Sequence, residues 1–198
     1  MSDIIVTGLY KAFGARKVLN DVNVVFPEGK ASCIMGPSGC GKSTLLKMIM
    51  GLMKPDAGSI SGVPEKISAV FQEDRLCEEF SAMTNVRLAA GRSVTDDEIR
   101  ACFYRLGIEA SADEKVIDLS GGMKRRVAIA RALMTEHHLL LLDEPFKGLD
   151  EETRKKVIEE VRKDPSTIIM VSHDSYEAEL LGAKIFTPEG MIPRVQTG

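Results

Sequence analysis

Two short stretches of this chain carry residue types at spacings that phosphate chemistry demands. GPSGCGKST supplies Gly36, Pro37, Ser38, Gly39, Cys40, Gly41, Lys42, Ser43 and Thr44. Its glycines permit a tight backbone curl whose N–H groups point inward at a phosphate, Lys42 adds a cation, and the Ser43 hydroxyl is placed to ligate Mg²⁺. LLLLDEP, from Leu139 to Pro145, reads as a buried strand with Asp143 emerging at its carboxyl end, where open α/β sheets bind ligands. A carboxylate there holds Mg²⁺ through water, and Glu144 beside it can orient or deprotonate an attacking water. A third stretch, LSGGMKRRVAIARAL from Leu119 to Leu133, sets Ser120, Gly121 and Gly122 before a helix whose Met123, Val127, Ala130 and Met134 recur at helical spacing. Lys124, Arg125, Arg126 and Arg131 take other faces. Ser120 stands as N-cap, so this helix start offers bare N–H groups to an anion.

Each reading has a plainer rival. A glycine-rich turn needs no ligand, and Asp143 and Glu144 would cap the turn ahead of Pro145 in any protein. The elements around them decide. Ile4 to Tyr10, Val18 to Phe26 and Ala31 to Met35 are rich in β-branched residues and broken by Gly14, Pro27 and Gly29, so they predict strands. The phosphate loop falls between the third of these and a helix beginning near Thr44, which is the strand–loop–helix context the motif requires. Ser59 to Gly62 and Ser68 to Phe71 predict short strands. Thr84 to Ala90 and Thr95 to Leu106 predict helices, the second opened by a Thr95–Glu98 capping box. Thereafter Leu139 to Leu142 and Thr167 to Val171 alternate with helices over Gly122 to Met134, Glu151 to Lys163 and Ser175 to Leu181. Such alternation implies βα units around a buried parallel sheet.

Composition bounds the partners. With 198 residues, 44% of them hydrophobic, the chain can bury the core of one domain. A net charge of −3 exerts no global pull on nucleic acid or acidic lipid. Cys33, Cys40, Cys77 and Cys102 lack CxxC spacing, which suits reduced thiols of a cytosolic protein rather than a zinc site. MSDIIVTGLY has no basic region followed by an apolar run, so no signal peptide is expected, and nothing approaches the roughly 18 apolar residues of a membrane helix. A role at a membrane would be peripheral.

Taken together, GPSGCGKST, LLLLDEP and above all LSGGMKRR resemble the nucleotide-binding subunit of ABC transporters, and the resemblance covers nearly the whole chain. It implies an α/β fold: a P-loop NTPase core with a parallel sheet, an N-terminal antiparallel β subdomain and a small inserted helical subdomain. The core and β subdomain would take 1–72 and 119–198, the helical subdomain 73–118. It implies that Gln72 in VFQED is the glutamine that joins Ser43 and Asp143 near Mg²⁺, that His173 in MVSHD is the switch histidine, and that Gly148, Leu149 and Asp150 form the loop facing the second site. Phe13 in LYKAFG resembles the aromatic residue that stacks on adenine; Tyr10 competes for that role, and a core position is the bland reading. His137 and His138 read as surface loop.

The family pattern also answers which anion Ser120 awaits. Two such subunits pack head to tail, and the Ser120–Gly122 helix start of one faces ATP held by the phosphate loop of the other. A second copy or a similar subunit, an integral membrane permease engaged through the helical subdomain and a solute-binding protein are the implied partners, with the chain peripheral on the cytoplasmic side. Two residues depart from the pattern: Lys147 stands where a serine is common, and Met123 replaces the glutamine of LSGGQ, a variant similar to the importer branch for nitrate, sulfonate and taurine. With only a short stretch after His173, no added regulatory domain is expected. A soluble ABC ATPase acting on DNA or ribosomes is the alternative, disfavoured because those usually carry a long coiled-coil insertion or two fused cassettes. An ATP-binding scaffold without hydrolysis is disfavoured by the presence of Lys42, Asp143, Glu144 and His173.

Overall fold

The structure, a computed structural model, describes residues 2–187; residues 188–198, with which the expected range 119–198 ends, lie outside them. Strands β1 (Ile4–Phe13) and β2 (Arg16–Phe26) form a hairpin, and β4 (Ala57–Ser61) pairs with β1 on its other edge, giving an antiparallel sheet. The second sheet runs β5 (Ile67–Val70), β6 (Leu139–Asp143), β7 (Thr167–Val171), β3 (Ala31–Ile34) and β8 (Lys184–Phe186), and every pairing in it is parallel.

The period of two along β6 and β7 sorts their side chains between two cores. Leu139, Leu141, Ile169 and Val171 face Leu45, Leu46, Met48 and Ile49 of helix α1 (Lys42–Ile49) together with Ile4, Val6, Leu9 and Phe26 of the antiparallel sheet. Leu140, Leu142, Ile168 and Met170 face the opposite core, built from α2 (Ala82–Arg87), α3 (Asp96–Arg105), α4 (Gly121–Met134), α5 (Glu151–Val161) and α6 (Ser175–Leu181). Both faces are covered, so the strands are unbroken apolar runs. The consequence for chemistry is that only the strand ends are free to carry polar groups.

Some expectations need adjustment. Helix α2 begins at Ala82 rather than Thr84, because Ser81 is its N-cap and accepts from the Thr84 N–H at 3.1 Å. Strand β1 extends past Tyr10 to Phe13, which lies opposite Arg16. Strand β8 had no sequence expectation. The side chain of His137 is not on the surface: it is 5% exposed and lies 3.1 Å from the Asp164 carboxylate. The Thr95–Glu98 box is present as expected, with Thr95 N–H donating to Glu98 at 2.6 Å and Glu98 N–H donating to Thr95 at 3.2 Å. Among the described residues no helix is long and apolar enough to cross a membrane.

Candidate active site

The end of β3 leads into the loop of residues 36–41, where Gly39 (φ 79°) and Gly41 (φ 98°) hold left-handed backbone. At Gly41 glycine is required twice over, since a Cβ would come within 2.7 Å of Leu19 Cδ2 and 2.8 Å of the Val18 carbonyl. Lys42 opens α1, and its ammonium donates to the Gly36 carbonyl at 2.6 Å and the Pro37 carbonyl at 2.8 Å, with Cys40 Sγ 3.8 Å away. The lysine is thus held over its own loop. Beside it opens a cleft of about 570 Å³ lined by Ser38, Gly39, Gly41, Lys42, Ser43 and Thr44 on one side and by Gln72, Asp143, Glu144 and His173 on the other, with Phe13 at its rim. Phe13 is 49% exposed, as a residue available to stack on a flat ligand must be. Tyr10 instead lies within the antiparallel sheet, opposite Ala57.

Asp143 is the last residue of β6, paired in register with Val171 and only 9% exposed. Glu144 follows in left-handed backbone (φ 51°), which for a residue with a side chain costs of order 1–3 kcal/mol. Its N–H donates to the Val171 carbonyl at 2.9 Å, which ties the turn to β7. Its carboxylate lies 2.8 Å from Nδ1 of His173. Under His173 the Ser172 hydroxyl donates to the buried Glu177 carboxylate at 2.6 Å and accepts the Asp174 N–H at 3.0 Å. Burial pushes the Glu177 carboxyl above its ordinary range, and burial pushes the neighbouring Cys33 thiol up to about 12. Cys33 is therefore an inert part of the core.

Ser120, Gly121, Gly122 and Asp150 stand outside this cleft. Ser120 caps α4, its hydroxyl accepting the Met123 N–H at 3.3 Å, and it is exposed. Asp150 caps α5 by accepting the Thr153 N–H at 2.9 Å, a bond that holds its carboxyl below the usual range. The two helix starts are neighbours: a Cβ on Gly122 would lie 3.5 Å from Leu149 Cδ2 and 3.6 Å from the Gly148 carbonyl. One face of the chain therefore carries an exposed helix start that serves nothing in its own cleft.

Comparison with known proteins sets this geometry in a family. The ABC transporter family profile matches residues 19–147. The aliphatic sulfonates import ATP-binding protein SsuB 2 of Burkholderia cenocepacia is 36% identical over 187 residues, covering 88% of this chain and 69% of the relative. SsuB 3 of Paraburkholderia xenovorans is 40% identical over 184 residues, covering 91% and 74%. A dimeric bacterial ABC transporter cassette superposes with a TM-score of 0.82 at 30% identity, covering 96% of this chain and 97% of that one. The same cassette in a post-hydrolysis state bound to ADP and Pi gives 0.81. The chain belongs to the ABC transporter family. Within it, this is an ATP-binding and ATP-hydrolysing subunit, an α/β cassette of the P-loop type.

In this ABC cassette two residues matter to the cleft to which no part in it was assigned above. Arg16 reaches the phosphate loop from the β1–β2 hairpin and donates to the Gly39 carbonyl at 3.1 Å. Arg125, expected on a face of α4 other than the buried one, is itself buried at 4% exposure. A signal for it existed: Ala128 and Ala132 follow at i+3 and i+7, small residues that mark a second buried face on α4. Lys147, one of the two departures, is exposed and lines the cleft beside Glu144. Met123, the other, packs partly buried against the helical core.

Proposed function

We propose that this cassette powers an importer for a small solute, in the branch of the family whose relatives are named for aliphatic sulfonates. The observation that carries the catalytic part is the convergence of Lys42, Ser43, Gln72, Asp143, Glu144 and His173 on one cleft, with Glu144 and His173 at 2.8 Å. Gly36 to Thr44 bind the phosphates of ATP and Phe13 stacks on its adenine. Glu144 takes the proton of the attacking water, and His173 orients the Glu144 carboxylate. Ser43, Gln72 and Asp143 are hard oxygen donors, a set that fits Mg²⁺, which binds through one or two carboxylates and substrate phosphates rather than an all-protein cage. Bound there, the ion would neutralise charge developing on the phosphate oxygens.

Two copies, or one copy and a similar subunit, close head to tail, each offering its Ser120–Gly122 helix start to ATP on the other. The exposed position of that start away from its own cleft supports this reading, as does the dimeric state of the related cassette. Residues 73–118, which hold α2 and α3, form the helical unit that meets a membrane permease on the cytoplasmic side. A solute-binding protein delivers the solute, and the choice of solute belongs to those partners.

The test is Glu144→Gln. It keeps ATP binding and traps a nucleotide-dependent dimer, while hydrolysis falls by about 10²–10⁴-fold, the span of a positioned general base. Turnover near the parent rate removes Glu144 from the mechanism.

A further inference from the structure

The main chain of Glu144 has a partner that neither the phosphate loop nor the cleft supplies. The guanidinium of Arg125 spreads over two segments of chain. On one side Nη2 donates to the carbonyl oxygens of Asp143, at 3.1 Å, and Glu144, while Nε donates to that of Pro145 at 2.8 Å. On the other, Nη1 donates to the Phe71 carbonyl, lies 3.5 Å from that of Gln72 and pairs with the Asp74 carboxylate at 2.9 Å. The left-handed residue Glu144 is the kink in the run of carbonyls 143–145 that converges on this cation. Because a guanidinium presents its donors in a rigid planar fork, the groups it joins cannot shift independently. The same α4 begins at Ser120, so the helix that would meet a second chain is the one that grips both Gln72 and Glu144.

We propose that Arg125 is a positioning residue for ATP hydrolysis: it fixes the Glu144 backbone, and through it the carboxylate, relative to Gln72. This rests on the reading of Glu144 as the group that activates water. Arg125 touches no reacting atom. Its effect is on where Glu144 stands, so its loss slows turnover and spares the phosphate loop, whose residues it does not contact.

The experiment measures single-turnover hydrolysis and equilibrium binding of a labelled ATP analogue for Arg125→Gln, Glu144→Gln and the double variant. Arg125→Gln lowers the hydrolysis rate by about ten- to a hundredfold, the scale of a misplacement near 1 Å, and leaves the Kd for the analogue within about threefold. In the Glu144→Gln background the same change adds nothing, because the group it positions is gone. Arg125→Lys, which keeps the charge without the fork, falls between parent and Arg125→Gln. A rate within twofold of the parent overturns the proposal. So does a loss of analogue affinity parallel to the loss of rate, which is a general structural defect, and so does a full independent loss on top of Glu144→Gln. If Arg125→Gln does not fold, Arg125→Lys carries the test: a slower rate with affinity kept is expected, and the parent rate overturns. A Glu144→Gln chain that hydrolyses at the parent rate fails the reading of Glu144 itself, and is seen without any Arg125 variant.

Discussion

The two ends of the parallel sheet are made by the same strands and treat their polar groups in opposite ways. At the carboxyl ends stand Lys42 on the carbonyls of its own loop, Glu144 in left-handed backbone and the Glu144–His173 contact at the mouth of a cleft. At the amino ends the polar groups close on one another. Gly29 N–H donates to the Thr167 hydroxyl at 2.9 Å, His138 N–H to the Lys66 carbonyl at 2.9 Å, and Thr167 N–H to the His138 carbonyl at 3.1 Å. The His137 ring lies between the Thr135 carbonyl, 2.6 Å from Nδ1, and the Asp164 carboxylate, 3.1 Å from Nε2. One end holds charged groups and a strained residue in reserve for a ligand; the other turns its polar groups on one another and contributes to stability. Substitutions at the two ends should therefore separate function from stability.

The largest effect is expected at the open end. Lys42→Ala removes the cation from a loop of neutral amides, and a lost charge-assisted hydrogen bond is worth about 1.5–3 kcal/mol, so ATP affinity falls about ten- to a hundredfold. Thermal stability without nucleotide stays within a few degrees of the parent, because the bonds lost are to loop carbonyls that water can reach. Titration with a labelled ATP analogue, beside a melting curve, checks both halves. Unchanged affinity breaks the comparison at its open end.

Ser120→Arg sharpens the comparison by testing a surface that belongs to neither end. If the helix start serves ATP on another chain, the variant binds ATP as a monomer within about twofold of the parent, yet its turnover falls by on the order of tenfold or more, since the added bulk intrudes on the facing phosphate pocket. Mixing it with Lys42→Ala chains yields dimers in which one composite site carries both lesions and the other carries none. Hydrolysis above that of either variant alone supports a shared site. Loss of ATP affinity in the Ser120→Arg monomer, with turnover independent of protein concentration, refutes it.

What was legible in the sequence follows the same division. The phosphate loop could be read because its backbone dictates residue types locally: no side chain fits at Gly41, and a lysine must open the next helix. The β6 run was legible because burial on both faces leaves no polar position until Asp143. The role of Arg125 was not, since it depends on carbonyls brought from Phe71 and from Asp143 to Pro145, segments far apart in the chain. Strand β8 is three residues with two exposed, too short to show a pattern. His137 sits in a stretch of polar residues before β6, and the Asp164 it meets comes from the turn after α5. Local constraint is visible in sequence; convergence across the fold is not.

The smallest effect is expected at the closed end, and pH reveals it. Nδ1 of His137 lies against the Thr135 carbonyl, while Nε2 stands 3.1 Å from the Asp164 carboxylate without hydrogen-bond geometry, so the imidazolium meets Asp164 as a charge pair. Burial pushes its pKa down, but the Asp164 carboxylate and the Thr135 carbonyl outweigh burial and hold it above the ordinary imidazole value. For Asp164, burial pushes upward, and the neighbouring His137 ring with the bonds from Ser166 outweighs it, leaving the carboxyl below its usual range. A raised histidine stabilises the fold fully below its unfolded pKa and loses that contribution as pH rises through the folded value. A depressed aspartate stabilises above its unfolded pKa and loses that contribution as pH falls through the folded one. The pair therefore contributes most between the ordinary carboxylate and imidazole ranges, about pH 4 to 6.5. Asp164→Asn keeps the shape and removes the charge, so its Tm deficit against the parent is a few degrees near pH 6, in line with about 1 kcal/mol in a domain of this size. The deficit shrinks as the buffer is taken to alkaline pH and His137 gives up its proton in the parent. ATP hydrolysis at a temperature where both chains are folded stays within about twofold. A deficit that is flat across that range, or a loss of turnover to match it, would mean that the two ends of the sheet are not separable.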